Sequence, residues 1–444
     1  MTIKPLAGTP GRRWRWETFA GGAILHEDGF RRLWLGRLCS HTALNAVLYT
    51  LLVLAVGNGG SSSVKSALFI TAYLLPTATL GTISGVLVDR LPKNLVLAAI
   101  NVARLGLMLV LIMSSTTNLW TVYGVALLVA ITSQFAAPAE ASALPQVVQP
   151  QQFTSANSAS NLGGLISQIA GFAILAPIFL NTVGPRPLFF AAAILFAAAA
   201  VFFLTIHTLS DKDIDLDSTV DAVRDVRNQF AEAWERLTQD MATYMAVVMT
   251  VLAHTASLVA VTLMPRFTQY VLDIPVENAI FVFMPAALGV LLGLRLVQLL
   301  ERRVRRGWLV GAGFILLIAS FFCLALVVPL GAMLAGATSM NETAARIVVT
   351  IGLSSSAVFS YSVAGVSGRS LVHERMPPEY QGRVFAAQVV LTNLASIPPI
   401  LLAGLLAALL SAQVVLAATM IVLASVALWA VAQASLRATA NSHA

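Results

Sequence analysis

Residues 64–94 read VKSALFITAYLLPTATLGTISGVLVDRLPKN: a run from Val64 to Val88 in which Lys65 is the one charge, closed by Asp89, Arg90 and Lys93. Such a run reaches the roughly 20 residues a helix needs to cross a hydrocarbon layer about 30 Å thick. It lacks the polar alternation of a barrel strand, and a helix satisfies its own backbone in lipid. The stretch therefore reads as a spanning helix that ends in a charged turn. Working outward, comparable apolar runs cover 33–56, 95–113, 119–144, 155–179 and 188–206. A polar stretch, 208–240, interrupts the pattern, and six more runs follow at 241–263, 278–300, 308–330, 346–368, 384–410 and 412–434.

The expected fold class is an all-α polytopic membrane protein with twelve transmembrane helices in two six-helix halves. The expected divisions are a cytoplasmic segment 1–32, an N-terminal bundle 33–207, a cytoplasmic linker 208–240, a C-terminal bundle 241–434 and a cytoplasmic tail 435–444. Composition agrees, with 58% hydrophobic and 11% charged residues and a mean hydropathy of +0.82, values that exclude an ordinary soluble domain. The net charge of +7 does not form a basic domain, because Lys and Arg lie between the apolar runs, so nucleic acid is not an expected partner. The lipid bilayer and a small molecule are. With the N-terminus in the cytoplasm, twenty of the 27 basic residues lie on that side; Lys65, Arg186, Arg266 and Arg346 lie outside. This bias places a multi-pass chain in the cell membrane with both termini cytoplasmic. Cys39 and Cys323 are too few and too far apart for a disulfide framework or a metal site.

The halves echo one another. Gly81 and Gly85 in the second run match Gly289 and Gly293 in the eighth, each pair on one helix face where another helix can approach closely. Gly163 and Gly171 repeat the theme in the fifth run, which predicts packing on a small-residue helix such as the eighth. In the linker, Asp211, Asp213, Asp215 and Asp217 precede Val220, Val223, Val226, Phe230, Trp234 and Leu237 at helical spacing, an acidic turn and an amphipathic helix suited to the membrane surface. Arg12-Arg13-Trp14-Arg15-Trp16 suits the same surface.

Gly85 through Asn94 resembles the signature loop of the major facilitator superfamily, with Asp89, Arg90 and Lys93 as its acid and bases. The resemblance implies that Asp89 pairs across the bundle and holds the cytoplasmic gate shut in the outward-facing state. Three further stretches are similar to the macrolide-efflux and transmembrane-secretion-effector branch of that family: Phe30 to Leu38, Ala137 to Pro145 with Ala156-Asn157-Ser158, and Glu374 to Phe385. The chain departs from the branch at Glu140, commonly basic there, at Ala43-Leu44-Asn45, and at Gly171-Phe172 in place of Gly-Pro. The resemblance implies a secondary transporter working by alternating access. The implied task is efflux of an amphipathic or hydrophobic small molecule, with protons as a candidate coupling ion. A transporter-like scaffold or receptor, and a lipid or metabolite facilitator without proton coupling, are the alternatives.

Ionisable and polar groups inside spanning runs are costly and mark candidate cavity or coupling positions: Arg104, Glu140, Asn45, His254 and Gln168. Arg104 must find an anion, carbonyls or water at its depth, and Glu140 is the expected partner, with substrate contact as the competing role. His41 and His254 can titrate near neutral pH, and each also suits an interhelical hydrogen bond. Arg295 and Arg369 are expected to snorkel toward the cytoplasm. No phosphate-cradling loop, zinc pair or nucleophile elbow is present, so neither an enzyme nor a cofactor is expected.

Overall fold

The structure is a computed structural model that describes residues 27–57, 62–114, 118–149, 152–206, 232, 234–301 and 303–442. The basic segment at 12–16 and most of the linker, including its four aspartates and positions 220–230, lie outside the described residues. Twelve long helices follow one another: α1 (Asp28–Gly57), α2 (Ser62–Asp89), α3 (Lys93–Met113), α4 (Leu119–Val147), α5, α6 (Pro185–Leu204), α7 (Met241–Tyr270), α8, α9 (Arg306–Ala325), α10 (Glu342–Arg375), α11 (Pro378–Leu409) and α12 (Ala412–Ser442). Helix α5 runs as Phe153–Gln168, a π-helical stretch Ile169–Leu175, and Ala176–Thr182. Helix α8 is assembled from Val276–Asn278, Ala279–Phe283, Met284–Ala286 and Ala287–Leu300. Among the described residues eleven helices are long and apolar enough to cross a membrane, and the broken α8 completes the two sets of six.

The breaks have local causes. Pro177, the second residue after the π stretch of α5, has no N–H and crowds the carbonyl four residues earlier, and the wider π turn relieves that contact. Pro285 lies in the 3₁₀ turn of α8. Helix α5 closes with Val183 and Gly184 both donating to the Phe179 carbonyl, and Gly184, at φ 86°, turns the chain so that Pro185 can start α6. The run expected as a single segment over 308–330 is two pieces. Pro329 cannot extend α9 past Ala325, so the chain breaks at Leu326 and a short helix, Val327–Thr338, packs instead on α10. Asn341 then caps α10 by accepting from the Thr343 N–H at 3.0 Å.

Within the first half, α1 packs on α4, α5 and α6, α3 on α4 and α6, and α2 on α4; in the second half α7 packs on α9, α10, α11 and α12, and α10 on α8 and α9. One apolar core runs through both halves, from Ala43 and Val47 of α1 to Leu416 and Met420 of α12. The halves meet along α2, which lies against α11 and α7. Because the helices alternate in direction, one end of the bundle gathers Gly57, Thr182, Tyr270 and Leu409, and the other gathers Asp89, Lys93, Val147 and Arg375. These are called the Tyr270 end and the Asp89 end.

The glycine expectations divide. Gly289 and Gly293 lie against α10, where a methyl at Gly293 would fall 3.0 Å from the Phe359 carbonyl oxygen. Gly81 faces α4, the corresponding helix, but only at 3.8 Å from Gln134, and Gly85 has open space around it. The repeat is therefore real in topology and tight only in the second half. Gly163 and Gly171 pack on α1, not on α8: a methyl at Gly171 would sit 2.6 Å from the Thr42 carbonyl oxygen, and one at Gly163 would sit 2.7 Å from Trp34 Nε1. The reason is sequential: α5 lies beside α1 within its own half.

Candidate functional site

Two polar sites sit inside the bundle, one in each half. The first grows from α1, where Arg37, Ser40 and His41 fall at i, i+3 and i+4 and so share one face. Glu140 of α4 is buried at 6% accessibility. It accepts from Arg37 Nε at 2.9 Å and meets His41 Nε2 at 3.0 and 3.1 Å through its two oxygens. A buried carboxylate needs such partners, since an unpaired charge in this environment costs several kcal/mol, order of magnitude. His41 remains 38% accessible at the side chain, and a void of about 30 Å³ beside it, bounded by Arg37, Trp34, Ser160 and Ser167, is large enough for a water.

Arg104 does not take Glu140 as its ion-pair partner. Its Nε donates to Thr132 Oγ1 at 3.1 Å, Nη1 to Ser40 Oγ at 3.1 Å and Nη2 to Ser133 Oγ at 2.9 Å. The guanidinium also lies 5.9 Å from the Phe196 ring centre. Thr132 and Ser133 both donate onward to the Val129 carbonyl at 2.8 Å, which turns their lone pairs toward Arg104. Glu140 takes Arg37 and His41 as its direct partners instead. Arg104, 2% accessible, thus ties α1, α3, α4 and α6 together through neutral acceptors.

The second site is a cavity of about 590 Å³ between α7, α8, α10 and α11. His254 Nδ1 meets the Tyr361 hydroxyl at 2.9 Å on its wall. Thr250, Gln388 and Asn393 add polar groups, Arg369 is its charged group among the described residues, and Val290, Leu294, Phe385 and Val389 supply apolar wall. The two sites are related: α1 and α7 are each 30 residues long, and His41 and His254 fall at the same place in them, each bonded to the fourth helix of its half.

The structure therefore brings Glu140 and His41 together, sets His254 in the cavity wall, and leaves Arg104 out of it. Asn45 of α1 packs against Gly171, and Gln168 is exposed at the start of the π stretch of α5. In the loop after α2, Lys93 is buried and donates to the carbonyls of Val88 and Leu91, the second at 2.9 Å, which satisfies the end of that helix. Arg90 is half-buried beside it, and the Asp89 side chain lies outside the described atoms. Residues missed by sequence reasoning are Arg37, counted there only toward topology, and Tyr361, whose signal is its place in the hydroxyl-rich run Ser354 to Ser362 of α10.

At the Tyr270 end the halves touch through polar groups. Tyr49 of α1 donates to the Val276 and Glu277 carbonyls at 3.1 and 3.2 Å, and Asn181 of α5 donates to Asn278 Oδ1 at 3.0 Å. Close by, α11 lies so near α2 that a methyl on Gly404 would fall 2.8 Å from the Ser63 carbonyl oxygen.

The sequence profile described as the Major Facilitator Superfamily matches residues 33–399. No curated protein matches the chain. Among solved structures, the nucleoside transporter NupG superposes with a TM-score of 0.66 at 12% identity, covering 91% of this chain and 98% of that one. A substituted form of NupG gives 0.69 at 13% identity, over 90% and 99% of the two chains. A bacterial homologue of the human lysosomal transporter Spinster, in an inward-facing and unoccupied conformation, gives 0.65 at 12% identity, over 92% and 97%. At these identities the likeness is one of fold.

Proposed function

The chain belongs to the Major Facilitator Superfamily and is a secondary transporter, and from that premise we propose that it works by alternating access and carries an amphipathic or hydrophobic small molecule out across the cytoplasmic membrane. The observation that supports this reading is the contact between the halves at the Tyr270 end of the bundle, beside a cavity in the second half. At the Tyr270 end the halves are clasped by Tyr49, the Asn181–Asn278 contact and the Gly404 crossing. The cavity of about 590 Å³ lies among α7, α8, α10 and α11, with Arg369 and Phe385 toward the Asp89 end. The excess of Lys and Arg at that end supports a cytoplasmic assignment for it, and in the proposed cycle the cavity loads from that side while the Tyr270 end is held closed. That is the geometry an exporter needs at the start of its cycle.

The likeness of the Glu374 to Phe385 loop to the macrolide-efflux branch supports export over uptake. Hydrogen bonds between helices in a membrane contribute about 0.6 kcal/mol each on average, so the clasp is weak enough for a bound substrate or ion to reverse. The buried Glu140 and its half-accessible partner His41 supply the proton-coupling candidate. Cysteines introduced at Ser218 and Ser442 test the orientation: labelling from the cytoplasmic side alone agrees, and labelling from outside intact cells overturns it. Flux into proteoliposomes tests transport itself, and its absence there removes the carrier reading.

A further inference from the structure

We propose that the cavity of the second half selects an amphiphile whose head group is an oxyanion, a carboxylate or a phosphate monoester, with Arg369 as the head-group residue. The inference rests on the transporter reading of that same cavity and adds the charge of what it carries. The argument starts from the lining. Arg369 of α10 is exposed to the cavity, makes no ion pair among the described residues, and no acid among the described residues lines the space with it. Around it stand neutral hydrogen-bonding groups, Tyr361, His254 and Gln388, and beside them the apolar wall of Val290, Leu294 and Phe385.

A guanidinium presents a planar fork of donors that matches the two oxygens of a carboxylate or phosphate. Arg369 stands at the edge of an apolar wall, so a ligand that binds there can pair its head group while its tail lies on Val290, Leu294 and Phe385. The polar site of the first half holds Arg37 and Arg104 against the single carboxylate Glu140, both of whose oxygens are already engaged. Among the described residues that line the cavity, a cationic amphiphile would meet Arg369 and no carboxylate. An anionic one meets a free donor fork. The volume, about 590 Å³, falls within the range of roughly 300–1,000 Å³ that small-molecule sites occupy.

The test uses the purified full-length chain and three fluorescent probes that differ only in head group: 11-(dansylamino)undecanoate, its methyl ester, and the corresponding dansyl alkylamine. Binding is read by fluorescence anisotropy and flux by release from proteoliposomes. The account expects the carboxylate to bind about tenfold or more tightly than the ester and the amine, the scale of one charge-assisted hydrogen bond. Arg369→Gln should abolish that preference by weakening the carboxylate about tenfold while leaving the ester unchanged, and Arg369→Lys should keep part of it. Unchanged ester binding also reports that the variant is folded. Dodecyl phosphate should displace the probe where inorganic phosphate at the same concentration does not; equal displacement by both would overturn the amphiphile half of the proposal. Equal or tighter binding of the amine or the ester, or an unaltered preference in Arg369→Gln, overturns the anionic half. Anion-selective binding without flux refutes the transporter reading and leaves the site standing, whereas flux without charge preference does the reverse.

Discussion

Replacing Gly404 by alanine should open the Tyr270 end of the bundle. Gly404 sits in α11 where that helix crosses α2, the main seam between the halves, and its missing side chain is what lets the two backbones meet. An added methyl would lie 2.8 Å from the Ser63 carbonyl oxygen and against Ala67. Both neighbours are buried, at 0% and 1% accessibility, so neither can swing aside. Overfilling a packed contact costs about 1–3 kcal/mol. Tyr49 shares its one hydroxyl proton between two carbonyls, so with the Asn181–Asn278 contact the end holds two hydrogen bonds, about 1 kcal/mol at the membrane average. The methyl's cost equals or exceeds that, so it offsets the clasp and shifts the closed-to-open ratio by about 5- to 150-fold. The assay is cross-linking of Asn181→Cys with Asn278→Cys by a short bifunctional thiol reagent, in a background lacking Cys39 and Cys323. Gly404→Ala should slow the cross-link strongly, while Gly352→Ala, at a site with open space, should not. Equal cross-linking in both would refute the idea that this crossing holds the end shut.

Three further outcomes are expected. In thermal unfolding, Arg37→Gln and Glu140→Gln should show a coupling of about 1–3 kcal/mol, larger than that between Arg104→Gln and Glu140→Gln, because Arg37 holds the carboxylate directly; the opposite order would restore the pairing first expected from the sequence. Gly171→Ala should lower stability by about 1–3 kcal/mol as its methyl meets the α1 backbone, whereas Gly106→Ala, in open space on α3, should be neutral or slightly stabilising; equal effects would contradict the close approach. Asp89→Asn should reduce flux with membrane insertion intact, as the gate reading requires, and unchanged flux would reduce Asp89 to a loop end.

The twelve spanning segments were legible because hydrocarbon imposes one requirement, about 20 apolar residues per crossing, that composition alone reports. Breaks inside helices were less so. Pro177 and Pro329 are plain in the sequence, yet one produces a π turn inside a continuing helix and the other ends α9. The difference depends on what packs around each proline, which periodicity does not carry. At the first polar site, Glu140 and Arg104 stood out as buried charges, but their partners did not. Arg37 lies near a helix end and reads as a topology signal; its distance to Glu140 depends on how α1 meets α4. Likewise Gly163 and Gly171 announced a close approach without naming α1 as its partner. Arg369 read as a snorkelling residue until the cavity beside it was visible.

The central claim, a carrier that alternates between two closed ends, is tested most directly by counterflow in proteoliposomes holding the full chain. Vesicles preloaded with unlabelled 11-(dansylamino)undecanoate should take up the radiolabelled compound faster than empty ones and transiently above equilibrium, because a loaded carrier reorients in exchange. Uptake at the same rate with and without preloading, or no faster than in protein-free vesicles, would contradict it.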